Sequence, residues 1–245
     1  MSPKPVSPQR TRRALWLRDD DRPRKPRLSR ERIVAAAVDL LDAEGVDGFS
    51  MRRLAARLQA GTMSLYEYVP SREDVLDLAL DAALGEIELR QPTTAPWRDV
   101  LAEQATETRR VMLRHPWVPG LVGTRPLLGP ASLARSERAY AALHRAGLAG
   151  PALVAAISAL YSFVHGFVAT ESTWRTQLPD EADEADLRRQ AEVFLAERAD
   201  LYPTLADHAR LGDDDFDAGF ALALDTVLDG IAARLPGSPP SRPGP

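Results

Sequence analysis

The chain has no cysteine, so disulfides and thiolate metal sites are excluded from the start. Its four histidines, His115, His144, His165 and His208, show no paired ligand spacing, and no metal site is expected. There is no Gly-Lys phosphate loop and no Gly-x-Ser-x-Gly elbow, so catalysis and a bound cofactor have no support in the motifs. Alternating β-branched runs are scarce, which argues against sheet. No run reads as long and clean enough to cross a bilayer, and the Pro- and Arg-rich start lacks the apolar segment of a secretory signal. The expectation is a cytoplasmic protein with no membrane partner.

What the chain does have is helix-forming composition. Ala, Leu, Arg, Glu and Asp abound, and the 245 residues suffice for one or two sizeable cores. The fold class expected is all-α. The net charge of −4 hides an asymmetry: through Arg72 there are 15 Lys/Arg against 9 Asp/Glu (+6), leaving 16 against 26 (−10). A basic front suits contact with a polyanion, although a solvated charge pattern is the alternative.

The chain divides into four parts. Residues 1–28 form a basic, Pro-interrupted arm in which Arg22, Arg24, Lys25 and Arg27 are placed to touch DNA; a solubilising tail is the alternative. Residues 29–90 hold a small helical unit, 91–235 a larger helical one, and 236–245 a Pro-rich tail. In the small unit, Ser29 caps a helix with Ile33, Ala36, Ala37, Leu40 and Leu41 on one face, and Gly45 ends it. The stretch from Phe49 to Val69 then reads as two short helices with a tight turn at Gln59-Ala60-Gly61. Gly61 is expected to supply the unusual backbone angles and Thr62 to cap the second helix. That helix turns Leu65 and Val69 inward and leaves Thr62, Met63, Ser64, Tyr66 and Tyr68 outward, the arrangement of a helix-turn-helix DNA reader. Ser71-Arg72-Glu73-Asp74 has the form of a capping box and starts a linking helix.

The larger unit is read as a helix from Trp97 to about His115, a broken stretch at Pro116 to Gly120, and a helix from Ala131 to about Ala146. A very apolar helix follows from Ala152 to Trp174. An acidic loop (179–186), a helix from Leu187 and a last helix from Phe216 complete it. Two helices as apolar as 152–174 and 216–235 suit a four-helix bundle with a second copy, against internal packing as the alternative. His115, Trp117, Tyr161, His165 and Trp174 are the candidates to line a ligand pocket, with Tyr161 and His165 first because a polar group on an apolar helix needs a partner. An aromatic, mostly apolar site would suit a flat hydrophobic molecule of the polyketide-antibiotic kind.

Residues Leu28 to Leu80 resemble the DNA-binding domain of the tetracycline-repressor (TetR) family of bacterial regulators, most closely over Gly61 to Asp74. The larger unit is similar to the C-terminal domain of that family's tetracycline-repressor-like subgroup, notably at Arg114-His115-Pro116-Trp117 and Gly129-Pro130. The resemblance implies an all-α homodimer that binds double-stranded operator DNA, represses transcription and is released by a small-molecule effector. It also implies roles. Arg52 contacts bases, Thr62 and Met63 occupy reading positions, and Ser64, Tyr66, Tyr68 and Arg72 anchor phosphates. The sequence departs from the family at Gln59, where a glycine is usual, and at Glu67, where an aromatic or basic residue is frequent. No motif carries over the magnesium requirement of tetracycline-binding members. An activator or a ligand-free DNA binder remains open, as does a helical small-molecule-binding or enzymatic domain with a relic helix-turn-helix.

Overall fold

The computed structural model describes residues 28–177, 181–208 and 215–237. All regular structure among the described residues is helical. The arm residues Arg22, Arg24, Lys25 and Arg27 lie outside them, as does most of the Pro-rich tail.

Helix α1 (Arg30–Gly48) starts where Ser29 Oγ accepts from the Arg32 amide, and Gly45 takes a left-handed φ of 68° inside its C-terminal end. Only glycine adopts that angle without a Cβ penalty. Helix α2 (Met51–Arg57) is capped by Ser50, and α3 (Thr62–Tyr66) follows the turn. Helix α4 (Arg72–Gly85) is capped by Ser71 Oγ, which accepts from Asp74 N at 3.0 Å. α1 and α4 pack against each other, and α2–α3 sit on that base through Phe49, Leu54, Leu65 and Val69, which are almost fully buried. Each such side chain contributes roughly 1.5–3 kcal/mol by leaving water.

The turn differs from expectation in two respects. Gln59, not Gly61, carries the left-handed angle, with φ 52°. Gly61 is extended (φ −77°, ψ 143°) and itself occupies the N-cap without a side-chain bond, so Thr62 is the first helical residue rather than the cap. The glycine is placed two residues later than the strained position, and the chain accepts that strain at a side-chain-bearing residue.

The second unit comprises α5 (Trp97–Arg114), α6 (Val118–Val122), α7 (Pro130–Arg145), α8 (Gly150–Gln177), α9 (Glu181–Ala196), α10 (Pro203–His208) and α11 (Phe216–Ala232). α5 lies against α7, α8 and α11, while α4 reaches across to α6 and α7. The sequence reading missed α6 and α10, and α9 begins within the segment read as an acidic loop. Pro at the first turn of a helix needs no amide donor, which explains how α6 and α7 tolerate theirs.

One expectation is overturned. α8 is long and apolar enough to cross a membrane by length and composition, with mean hydropathy 1.8 in its most apolar window. Only 28% of that window is buried within the chain. Two of its polar side chains are committed inward: Glu171 is 0% exposed and Tyr161 is bonded to Gln104. Its outer face, with Ala152, Ala155 and Ala159, joins Val227 and Gly230 of α11 to line a groove of about 360 Å³.

Candidate nucleic-acid interface and effector cluster

The short α3 is held by Leu65 and Val69, both 0% exposed. That anchoring fixes what faces out: Met63 is 77% exposed, Tyr66 40% and Tyr68 38%, beside partly buried Thr62 and Ser64. Arg52, in the first turn of α2, is exposed and enters no ion pair among the described residues. Its neighbours are tied back. Arg53 pairs with Glu44 and donates to Gly48 O, and Arg57 pairs with Asp39 at 3.3 Å. The outward face therefore offers one uncommitted guanidinium, two phenols, two small hydroxyls and a thioether. Arg72 behaves differently. It donates to Val46 O at 3.1 Å, pairs with Glu73 and lies 5.7 Å from the Phe49 ring centre, so it braces the α1–α2 corner. Glu67 is exposed at the end of α3.

A polar seam joins this unit to the larger one. Asp42 of α1 accepts from His115 Nδ1 at 2.7 Å and from Trp117 Nε1 at 2.6 Å, and His115 Nε2 lies 3.2 Å from Glu86. Along α4, Glu73, Asp77 and Asp81 recur every four residues and so share a face. Glu73 and Asp77 hold Arg125. Asp81 accepts from Ser132 N and Oγ and from Ala131 N, capping α7 from outside its own chain segment. His115 and Trp117 thus belong to the junction between the two units, where the sequence reading had them lining a ligand pocket. Each is buried with its ring nitrogens engaged by carboxylates.

A second polar cluster lies among α5, α7 and α8. Gln104 Nε2 donates to Tyr161 Oη at 2.9 Å, His165 stacks along Tyr161 with centroids 6.2 Å apart, and the Arg135 guanidinium sits 5.3 Å from the Tyr161 ring. Arg135 reaches Thr108 Oγ1 at 3.4 Å. Three buried atoms in this group, Gln104 Oε1, Arg135 Nε and His165 Nε2, have no hydrogen-bond partner. Burial, aided by the charge of Arg135, pushes the His165 imidazole down to about 4, so it is neutral at pH 7. Burial likewise raises the Tyr161 phenol and lowers Arg135. Buried polar atoms normally find partners, and three orphans at one place call for an explanation.

Tyr161 and His165, the first two of the pocket candidates, lie against each other. Trp174 does not join them: it lies about 14 Å beyond His165 along α8 at 1.5 Å per residue, with Arg188 5.5 Å from its ring centre. Gln104, Thr108 and Arg135 were missed as site residues. The signal was present, since Ser132, Arg135, Ala139 and Ala142 recur at helical spacing on the buried face of α7, and an arginine on such a stripe calls for an explanation. No group of three or more metal-ligating side chains occurs among the described residues.

Comparison with known proteins places this geometry in context. Residues 33–79 match the model of the family described as bacterial regulatory proteins, tetR family, and residues 91–235 match that of the tetracyclin repressor-like C-terminal domain. An HTH-type transcriptional regulator of Saccharopolyspora erythraea is 44% identical over 221 residues, covering 90% of this chain and 92% of the relative. The HTH-type transcriptional repressor DrrR1 of Streptomyces coeruleorubidus is 37% identical, over 91% and 84% of the two chains. Among solved structures, ActR of Streptomyces coelicolor in complex with actinorhodin superposes with a TM-score of 0.77 at 31% identity, covering 86% of this chain and 99% of that one.

Proposed function

The chain belongs to the tetR family of bacterial regulatory proteins, and from that premise we propose that it is a dimeric transcriptional repressor, held on operator DNA by α2 and α3 and released by a small molecule received among α5, α7 and α8. The observation that carries the DNA half is the exposed α3 face, Met63, Tyr66 and Tyr68, set on the fully buried Leu65 and Val69. A five-residue helix has no stability of its own, so a core that fixes its outward side chains is what a groove reader needs.

In this reading Arg52 pairs with guanine O6 and N7, and Thr62 and Met63 read base edges, Met63 against a thymine methyl. Ser64, Tyr66 and Tyr68 hold phosphates and fix register. Arg72 supports the reader from behind. Two copies pair through the outer faces of α8 and α11, where small side chains let helices approach closely and where Leu222 is 72% exposed. The two-fold symmetry then presents heads for half-sites about 34–36 Å apart. The working units are residues 29–90 and 91–235, with 1–28 and 236–245 as appendages, and the site of action is the cytoplasm, where the DNA is.

The orphaned polar atoms around Tyr161 support ligand responsiveness, and the actinorhodin complex of ActR supports a flat, ring-bearing effector. A ligand there bears on α5 and α7, which reach the reader through Asp42, Asp77 and Asp81. It needs only to favour a head spacing that misses successive grooves. The regulators among the relatives give no reason to expect an enzyme.

The test is fluorescence anisotropy with DNA from upstream of the chain's own coding region. Wild-type protein should bind with a steep salt dependence, as release of phosphate counterions requires. Arg52→Ala combined with Tyr66→Ala should abolish the binding. Unchanged affinity in the double variant overturns the site.

A further inference from the structure

The Arg135 guanidinium has the surroundings of a charge awaiting its partner. The residue is 4% exposed. Its one hydrogen-bond partner is Thr108 Oγ1, at a long 3.4 Å, and its Nε has none. It makes no ion pair among the described residues, whereas the comparably buried Arg109 is bound to Glu171 and Asp217 and the half-buried Arg138 to Glu103. The carboxylate that influences it from α4, Asp81, is already engaged by three donors at the start of α7. An arginine cannot escape burial by giving up its proton, so an unpaired one is costly to keep.

We infer that the effector is an acid, an apolar ring-bearing molecule whose single carboxylate pairs with Arg135 beside Tyr161. This rests on the ligand-release reading above and adds the charge of the ligand to it. The planar guanidinium matches a carboxylate through two parallel N–H donors. Neutral His165 adds no second cation, and its Nε2 and Gln104 Oε1 are left for a hydroxyl or carbonyl elsewhere on the molecule. The Tyr161 ring gives the apolar body a flat surface to lie against. The site therefore holds one positive charge, two neutral polar groups and aromatic surface, which discriminates an acid from its neutral isostere.

The experiment uses the full chain and matched probes: 2-naphthoate with 2-naphthamide, and anthraquinone-2-carboxylate with its carboxamide. Binding is followed by tryptophan fluorescence for wild type, Arg135→Gln and Arg135→Lys, with circular dichroism and operator binding as checks of folding. Wild type should prefer each acid by about tenfold or more, the Gln variant should lose that preference to within about twofold, and the Lys variant should restore part of it. Amides bound as tightly as acids, an acid preference that survives Arg135→Gln, or no binding of any acid overturns the inference. Operator release separates it from the reading it rests on. Amides that bind and release the operator leave the repressor reading standing and remove the charge. Acids that bind selectively and leave the operator complex intact do the reverse.

Discussion

Replacing Asp42 by alanine should cost the protein about 2–3 kcal/mol. One oxygen, Oδ1, accepts from both His115 Nδ1 at 2.7 Å and Trp117 Nε1 at 2.6 Å. A hydrogen bond to a charged group contributes roughly 1.5–3 kcal/mol, and a buried donor left without a partner carries its full desolvation penalty. His115 and Trp117 are 4% and 5% exposed, so neither regains water when the carboxylate goes. The Asp42 side chain is itself 34% exposed, which weakens its charge and places the total well below twice the single-bond figure. For a domain of this size each kcal/mol moves the midpoint by about 2–4 °C, so thermal unfolding should fall by roughly 5–10 °C. Asparagine retains a carbonyl acceptor, and Asp42→Asn should lose about half as much. Urea unfolding followed by tryptophan fluorescence gives both values. A loss below about 0.5 kcal/mol for Asp42→Ala, or equal losses for the two variants, refutes the argument that this oxygen clasps the two units together.

Other outcomes follow from single features. Gln59→Gly should stabilise by about 1 kcal/mol, because the residue sits at φ 52°, and Gln59→Val should destabilise by a similar amount, both read by urea midpoint. Gly129→Ala should cost about 1–2 kcal/mol in the same assay, since a Cβ there overlaps the Asp81 carboxylate that caps α7. Glu171→Gln should cost about 3 kcal/mol or more, because it leaves Arg109 short of its fully buried partner. His165 is held down to about 4 against an ordinary 6.5, so the unfolded chain binds its proton first as pH falls. Its contribution is complete above about pH 6.5 and is lost as the pH falls toward 4. Wild type should therefore lose on the order of 2–3 kcal/mol more than His165→Gln across that window, measured by urea unfolding at each pH.

The sequence by itself determined the helices that carry their own signals. Ser29 and Ser71 mark starts because a hydroxyl beside a free amide is a local event. The inward turn of Leu65 and Val69 follows from helical spacing alone, and with it the outward face of α3. Tyr161 and His165, polar groups one turn apart on an apolar helix, announce a polar site for the same reason. Tertiary structure decided the rest. The turn angle fell on Gln59 because packing of α3 against its neighbours sets where the chain must bend, and a residue's propensity can be overridden at a cost of about 1 kcal/mol. Arg72, His115 and Trp117 are given roles by their type and position, yet Arg72 meets Val46 O 26 residues away, His115 meets Asp42 and Glu86 73 and 29 residues away, and Trp117 meets Asp42 75 residues away. Arg135 became significant only when folding brought every other buried arginine it resembles to a carboxylate and left it facing a phenol. Spacing reports which side chains share a face, whereas charge compensation depends on which faces meet, and that is settled only by the packed chain.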